Sequence, residues 1–181
     1  LQESFPNSHI ISNQDGVTNT VQYSIEGSPL VSIVIPMRDG VEDTKKCISS
    51  IYEKTTYKNF EIIIADNGSQ KLETKEYITQ VKNMYTNIHV ISIDIPFNYS
   101  RINNIAIRNK ARGEFIVLLN NDTSVITENW LEQMVGYAQL KHVGSVGVKL
   151  LYPDTTLQHA GVIAGKSGVA SHRYYRKDYA E

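Results

Sequence analysis

The chain of 181 residues carries 18 basic and 19 acidic side chains, a net charge of −1, with 41% hydrophobic and 20% charged residues. That length suits one soluble domain, burying roughly 70% of its unfolded surface, and the balanced charge argues against a dedicated nucleic-acid binder, since no global positive field exists to attract phosphates. The single cysteine, Cys47, excludes an intrachain disulfide and a cysteine-rich zinc site, no apolar run reaches the roughly 18 residues of a membrane span, and the start at Leu1 without a signal peptide reads as a cut from a longer protein or a processed start.

Residues 1–29 form a polar lead-in rich in Ser, Asn, Gln, Asp and Gly, with no sustained period of 2 or 3.6, and read as a linker or a strap laid on the domain. From residue 30 to 181 a different rhythm holds. Val31-Ser32-Ile33-Val34-Ile35 is a β-branched run closed by Pro36, as expected of a buried strand. Val41, Thr44, Ile48 and Ile51 then share one face of a helix over 41–54. Glu61-Ile62-Ile63-Ile64-Ala65 is a second strand, stopped by the turn formers Asp66-Asn67-Gly68-Ser69. A polar helix spans about 70–84, a third strand 88–93, and a helix with Ile102, Ile105 and Ala106 inward covers 99–111. Phe115 to Leu119 is the fourth strand, ending at Asn120-Asn121-Asp122. Thr127 is a candidate N-cap for a helix with Trp130, Leu131, Met134, Val135 and Ala138 on one face. Val143 to Leu151 reads as strand, and the remainder as turns, short strands and loops. Strand and helix alternate four times, which builds a mostly parallel α/β sheet with helices on both faces.

In open sheets of this kind ligands bind beyond the carboxyl ends of the strands. Polar residues gather there: Arg38-Asp39, Asp66-Asn67-Gly68-Ser69, Asp94 to Asn98, and Asn120-Asn121-Asp122. The absence of G-x-G-x-x-G after the first strand argues against a dinucleotide dehydrogenase, and neither a P-loop nor a G-x-S-x-G elbow is present. The five histidines lack zinc spacing. Cys47 falls near the inward face of the first helix, a packing position rather than a nucleophile's. An acid flanked by amides just past a strand suits a hard cation such as Mg²⁺ or Mn²⁺ whose other oxygens come from a diphosphate and water. The same residues would equally make an Asx-turn leading into a helix. Spacing alone leaves both readings open.

Val31 to Pro36, Asp66-Asn67-Gly68-Ser69, and Ala111-Arg112-Gly113-Glu114 leading into Leu118-Leu119-Asn120-Asn121-Asp122 together resemble a family 2 glycosyltransferase of GT-A fold. Phe97 to Asn104, and Leu150 to Asp154 followed by Gln158-His159-Ala160-Gly161, resemble a bacterial branch that includes rhamnosyltransferase-like enzymes. The likeness covers about 30–175. It implies an inverting, metal-dependent transfer of a sugar from a nucleotide-diphosphate sugar donor to a saccharide or lipid-linked saccharide acceptor, in bacterial surface polysaccharide synthesis. It implies that Pro36 and Arg38 lie against the nucleotide and that Asp66 and Asn67 read the base edge. Ser100 and Asn104 would line the nucleotide pocket, Asn121 would approach the ribose or diphosphate, and Asp122 would hold the Mg²⁺ or Mn²⁺. Many relatives carry two acids where this chain has Asp66-Asn67, which leaves the base preference open. The catalytic base is expected beyond residue 181, so that the chain is a GT-A domain truncated at its C-terminal side. His159 and His172 would touch donor sugar or metal, or be structural. The resemblance further implies a cytoplasmic protein, with the full-length form able to associate peripherally with the inner membrane. The rival reading is a non-catalytic nucleotide- or carbohydrate-binding module of a larger polysaccharide-synthesis protein.

Overall fold

A computed structural model of the protein describes residues 7–12, 17, 19–165 and 170–178. The chain forms two compact units, Leu1–Gly136 and Tyr137–Glu181.

The first unit begins with two strands, β1 (Ser8–Ser12) and β2 (Asn19–Tyr23), paired antiparallel from Ser8↔Tyr23 to Ser12↔Asn19. This ribbon lies in the stretch that the sequence presents as irregular. Of its ten residues only Ser8 is buried, so no apolar alternation is written into the sequence; backbone pairing leaves no mark on side-chain pattern. The end of β2 lies so close to Gly136 that a Cβ there would stand 2.6 Å from the Tyr23 carbonyl oxygen.

Then come β3 (Val31–Met37), α1 (Val41–Lys54), β4 (Phe60–Asp66), α2 (Leu72–Met84), β5 (Ile88–Ser92), α3 (Tyr99–Lys110), β6 (Phe115–Leu118) and α4 (Trp130–Ala138). The four strands β3 to β6 form one parallel sheet in the order β5-β4-β3-β6. Alternate residues feed two cores. Val31, Ile33, Ile35, Ile62 and Ile64 pack with Cys47, Ile48 and Ile51 of α1, Val81 of α2 and Leu131 and Val135 of α4. Val34, Ile63 and Ala65 pack on the opposite face with Ile102 and Ala106 of α3. The sheet is thus covered on both sides, as the alternation of strand and helix requires.

Some boundaries depart from the sequence expectation. Pro36 does not close β3, which runs on through Met37 with Pro36 paired to Ala65. Even-numbered residues of β3 turn their backbone toward β6, as Leu119 N–H donating to the Val34 carbonyl shows. The missing N–H of Pro36 therefore faces the side where the β6 ladder has already ended, at Val34↔Leu118. The α4 helix starts at Trp130, and its first turn-closing bond runs from Gln133 N–H to the Asn129 carbonyl. Asn129, not Thr127, occupies the cap position; the Thr127 carbonyl accepts instead from Trp130 N–H. On β6, Ile116 and Leu118 are 38% and 49% exposed, because α3 covers β3 to β5 and leaves this part of the face open.

A polar clamp closes the other end of the strands. Glu61, 1% exposed, accepts from Ser32 Oγ at 2.7 Å and Arg112 N–H at 2.8 Å through Oε1, and from Arg112 Nε and Nη2 at 2.9 and 2.6 Å through Oε2. Gly113 N–H donates to Ser32 Oγ, and a Cβ on Gly113 would lie 2.5 Å from Ser32 N. The Ala111-Arg112-Gly113 stretch is therefore the link that fixes α3 and β6 to the sheet. Burial pushes the Glu61 carboxyl upward, but the bonds from Ser32 and Arg112 outweigh it and hold it below its ordinary range.

The second unit carries β7 (Leu150–Leu151), β8 (Leu157–His159), β9 (Val162–Ala164) and β10 (Ala170–His172). β7 pairs antiparallel with β8, and β9 with β10. Of the strand expected over Val143 to Leu151 only Leu150–Leu151 is paired. Gly144 and Gly147 interrupt it, and a Cβ at either would meet nothing within 4 Å, so no packing holds this segment extended. Among the described residues no helix is long and apolar enough to cross a membrane.

Candidate nucleotide and metal site

At the carboxyl ends of β3, β4 and β6 three loops meet, each held by bonds to the next. Asp39 and Gly40, after β3, both adopt left-handed backbone, with φ of 53° and 63°. Asp39 N–H donates to Ser69 Oγ at 2.8 Å, and the Asp39 carboxylate accepts from the N–H groups of Gln70 and Lys71 at 3.1 and 3.0 Å. The β3 loop thus caps the start of α2, which has no side-chain cap of its own at Lys71. Those backbone donors, Lys71 first, hold the Asp39 carboxyl below its ordinary range despite an opposing contribution from burial.

The loop after β4 is equally constrained. Asp66, half-buried, accepts through Oδ1 from the N–H of Ser69, three residues on, at 3.0 Å, which ties the loop back to the strand end. Gly68 has φ 75°, a left-handed backbone that favours glycine, and a Cβ there would come within 2.7 Å of Oδ1 of the exposed Asp94 side chain, which would have to swing aside. Asn67 is 3% exposed and its Nδ2 donates to the carbonyls of Ile93 and Ile95 at 2.7 and 2.8 Å. Two carbonyl acceptors around the nitrogen fix which end of the amide is which. Its Oδ1 is buried and has no hydrogen-bond partner. An orphaned acceptor of this kind is uncommon and costs stability unless a ligand satisfies it.

The third loop carries Asn120-Asn121-Asp122. Asn121 is half-buried, and its Nδ2 donates to Thr44 Oγ1 on α1 at 3.1 Å. Gly40 sits directly below, where an added Cβ would lie 3.8 Å from that Nδ2. The Asn120 carbonyl accepts from Thr123 Oγ1 at 2.7 Å, and the Cys47 thiol lies 3.8 Å from both of these oxygens. Burial pushes that thiol up to about 11, which removes it as a nucleophile at neutral pH. Asp122 itself is exposed and makes no hydrogen bond or ion pair among the described residues.

Structure therefore brings Pro36, Arg38, Asp66, Asn67, Asn121 and Asp122 to one edge of one sheet. Pro36 is half-buried within β3, whereas Arg38 is exposed and unpaired among the described residues. Ser100 and Asn104 lie one turn apart on α3, both exposed, and neither bonds to another described side chain. Asp39, Ser69 and Thr44 were not singled out from the sequence, yet they tie the three loops together. Asp39 carried a signal, an acid followed by Gly at a strand end, but its partners lie 30 to 32 positions away. Only the parallel pairing of β3 with β4 makes them neighbours.

The residues present suit a divalent cation that brings oxygens with it. No group of three His, Cys, Asp or Glu side chains is assembled among the described residues, so no all-protein metal cage exists. One unpaired carboxylate beside amides is nonetheless the donor set expected where phosphate and water complete the shell.

Comparison with known proteins converges with this geometry. The family model described as Glycosyl transferase family 2 matches residues 32–176. An uncharacterised protein, y4gI, of Sinorhizobium fredii is 45% identical over 150 residues, which are 83% of this chain and 16% of that protein. The O-antigen biosynthesis protein RfbC of Myxococcus xanthus is 38% identical over 156 residues, 86% of this chain and 12% of that protein. The chain thus spans less than a fifth of the length of either relative. Among solved structures, the mannosyltransferase PcManGT of Pyrobaculum calidifontis, in complex with GDP-Man and Mn²⁺, superposes with a TM-score of 0.60 at 17% identity, covering 68% of this chain and 36% of that one. At that identity the likeness speaks for the shared GT-A fold.

Proposed function

This chain belongs to glycosyl transferase family 2, and we propose that it forms the donor-binding part of an inverting, metal-dependent enzyme that moves a sugar from a nucleotide-diphosphate sugar to a saccharide or lipid-linked saccharide acceptor. Similarity to the O-antigen biosynthesis protein supports a place in surface polysaccharide synthesis. The observation that carries the reading is the buried, partnerless Asn67 Oδ1 at the rim of the sheet. An acceptor held there by two carbonyl contacts on its own nitrogen is shaped to receive an N–H, such as that of a nucleobase edge.

Around it the chain supplies the remaining roles. Asp66, held by the Ser69 N–H, sits beside Asn67 to accept further donors from base or ribose. Arg38 offers a guanidinium to the diphosphate. Asn121, anchored through Thr44, presents its amide oxygen toward the sugar-nucleotide. Asp122 is the residue that would hold a divalent cation. When bound, such a cation neutralises charge developing on the departing diphosphate. A carboxylate base would take the acceptor hydroxyl proton as the anomeric carbon is attacked from the opposite face; the described residues offer no clear candidate for it. The Mn²⁺ and GDP-Man of the archaeal mannosyltransferase support this assignment of ligand class.

The test is a thermal-shift screen of nucleoside diphosphates and nucleotide sugars, with and without Mn²⁺. A rise in Tm is expected for nucleotide, larger with metal, and Asp122→Ala should abolish the metal-dependent part while leaving the rest. Equal stabilisation with and without metal in both proteins would overturn the metal role. No stabilisation by any nucleotide would overturn the donor site.

A further inference from the structure

The second unit contains a histidine pair that the donor site does not use. His159, at the end of β8, and His172, at the end of β10, face each other with Nδ1···Nδ1 at 3.0 Å and rings nearly perpendicular, at 82°. They stand 13 residues apart and on different two-stranded ribbons, so their meeting is built by the fold, not by local sequence. Each is fixed by main-chain bonds on its flank. Arg173 N–H donates to the Gly161 carbonyl, Arg176 N–H to the Leu157 carbonyl, and Leu157 N–H to the Lys177 carbonyl, which laces the turn after β10 onto β8. Tyr174 and Arg176 hold left-handed backbone in that turn, with φ of 56° and 61°. The Tyr175 ring lies along the His172 ring at 6.3 Å and is itself bonded to Tyr152, which limits how His172 can turn away.

The two Nδ1 atoms lie 3.0 Å apart, a distance that constrains their protonation. Both cannot present lone pairs there, and both cannot present protons. A single shared proton is one solution, with one ring donating to the other. A transition-metal dication is the second, because each neutral ring then points a lone pair at the ion. Two nitrogens bound tetrahedrally at the usual 2.0–2.1 Å lie about 3.3 Å apart, so this pair needs to open by only a few tenths of an ångström. His159 is half-buried and His172 exposed, leaving water to complete the shell.

We propose that His159 and His172 form a two-imidazole site for a borderline transition-metal dication such as zinc, separate in its ligands from the carboxylate Asp122. The surroundings bear on the selectivity. Arg173 and Arg176 lie on the turn that follows His172, and Asp154 is already engaged by Arg176 at 3.2 Å and by Thr156. A hard ion such as Mg²⁺ prefers carboxylate and water oxygen, whereas imidazole nitrogen suits zinc, nickel and copper. On binding, the ring that donated moves its proton to Nε2, so both rings stay neutral.

Calorimetric titration of the 181-residue chain with zinc chloride, and in parallel with magnesium chloride, tests this. One zinc per chain is expected, with no heat from magnesium at the same concentration. His159→Gln and His172→Gln should each weaken zinc binding at least tenfold, while His142→Gln should not change it. Long-range ¹H–¹⁵N spectra of the unaltered chain give a readout free of folding defects: zinc should move the Nδ1 resonances of His159 and His172. Unchanged affinity in both variants, or resonance shifts confined to His9, His89 or His142, would overturn the proposal.

Discussion

Asn67 and Glu61 are both buried polar side chains on or beside β4, yet they differ in how completely they are satisfied. Glu61 has four bonds to Ser32 and Arg112; Asn67 has two on its nitrogen and none on its oxygen, which is why the proposed ligand contact is assigned there. Replacing Asn67 with Leu strips the Ile93 and Ile95 carbonyls of their donor and should lower stability by about 1–3 kcal/mol in urea unfolding. The same change should abolish nucleotide-dependent stabilisation. Removing Asp122, exposed and unpaired, should leave urea stability within about 0.5 kcal/mol of the parent. This contrast between a costly and a neutral change at one rim would separate binding roles from folding roles. Neither role is visible in the dipeptides Asp66-Asn67 and Asn121-Asp122 alone, where an Asx-turn explains the residue types as well as a ligand does.

The loop elements owe their shape to contacts across the sheet. Asp39 accepts two backbone N–H groups just ahead of α2, so Asp39→Ala should lower stability by leaving them without that acceptor. Chemical denaturation checks that, and the loss should persist without nucleotide. The strands and helices of the sheet could be read from the chain with small errors, because the central ones bury apolar faces: Ile33, Ile35, Ile62 and Ile64 are wholly inaccessible and β-branched. The ribbon β1–β2 could not, since its side chains carry no buried stripe. The run from Val143 misled in the opposite direction. Its valines have strand propensity, but with glycines between them and no neighbouring strand the propensity has nothing to act on. The site shows the same division. Motifs at strand ends were legible because the parallel fold dictates where ligands go. The ties from Asp39 to Gln70 and from Asn121 to Thr44 join residues 31 and 77 positions apart and depend on packing.

For the molecule as a whole, acid stability should follow the Glu61 clamp. In the folded protein the bonds from Ser32 and Arg112 hold its carboxyl below the ordinary range despite burial. A depressed carboxylate contributes stability above its unfolded pKa, and that contribution disappears as pH falls through the folded value. The denaturation midpoint should therefore decline as pH drops below about 4.3, and Glu61→Gln should flatten that decline while lowering stability at pH 7, because it weakens the bonds from Ser32 and Arg112. Urea melts between pH 2 and 7 measure both.

Cys47 gives this protein a built-in stopwatch. The thiol is 1% exposed, against the two-sided sheet's larger core, and burial keeps it protonated. A small alkylating reagent can capture it only when the Leu1–Gly136 unit opens. With reagent in large excess, the rate of label incorporation measured by intact mass becomes the opening rate itself, and with reagent scarce it becomes the opening equilibrium. No engineered probe is needed: an unmodified side chain times how often the Leu1–Gly136 unit comes apart, and whether added nucleotide slows it.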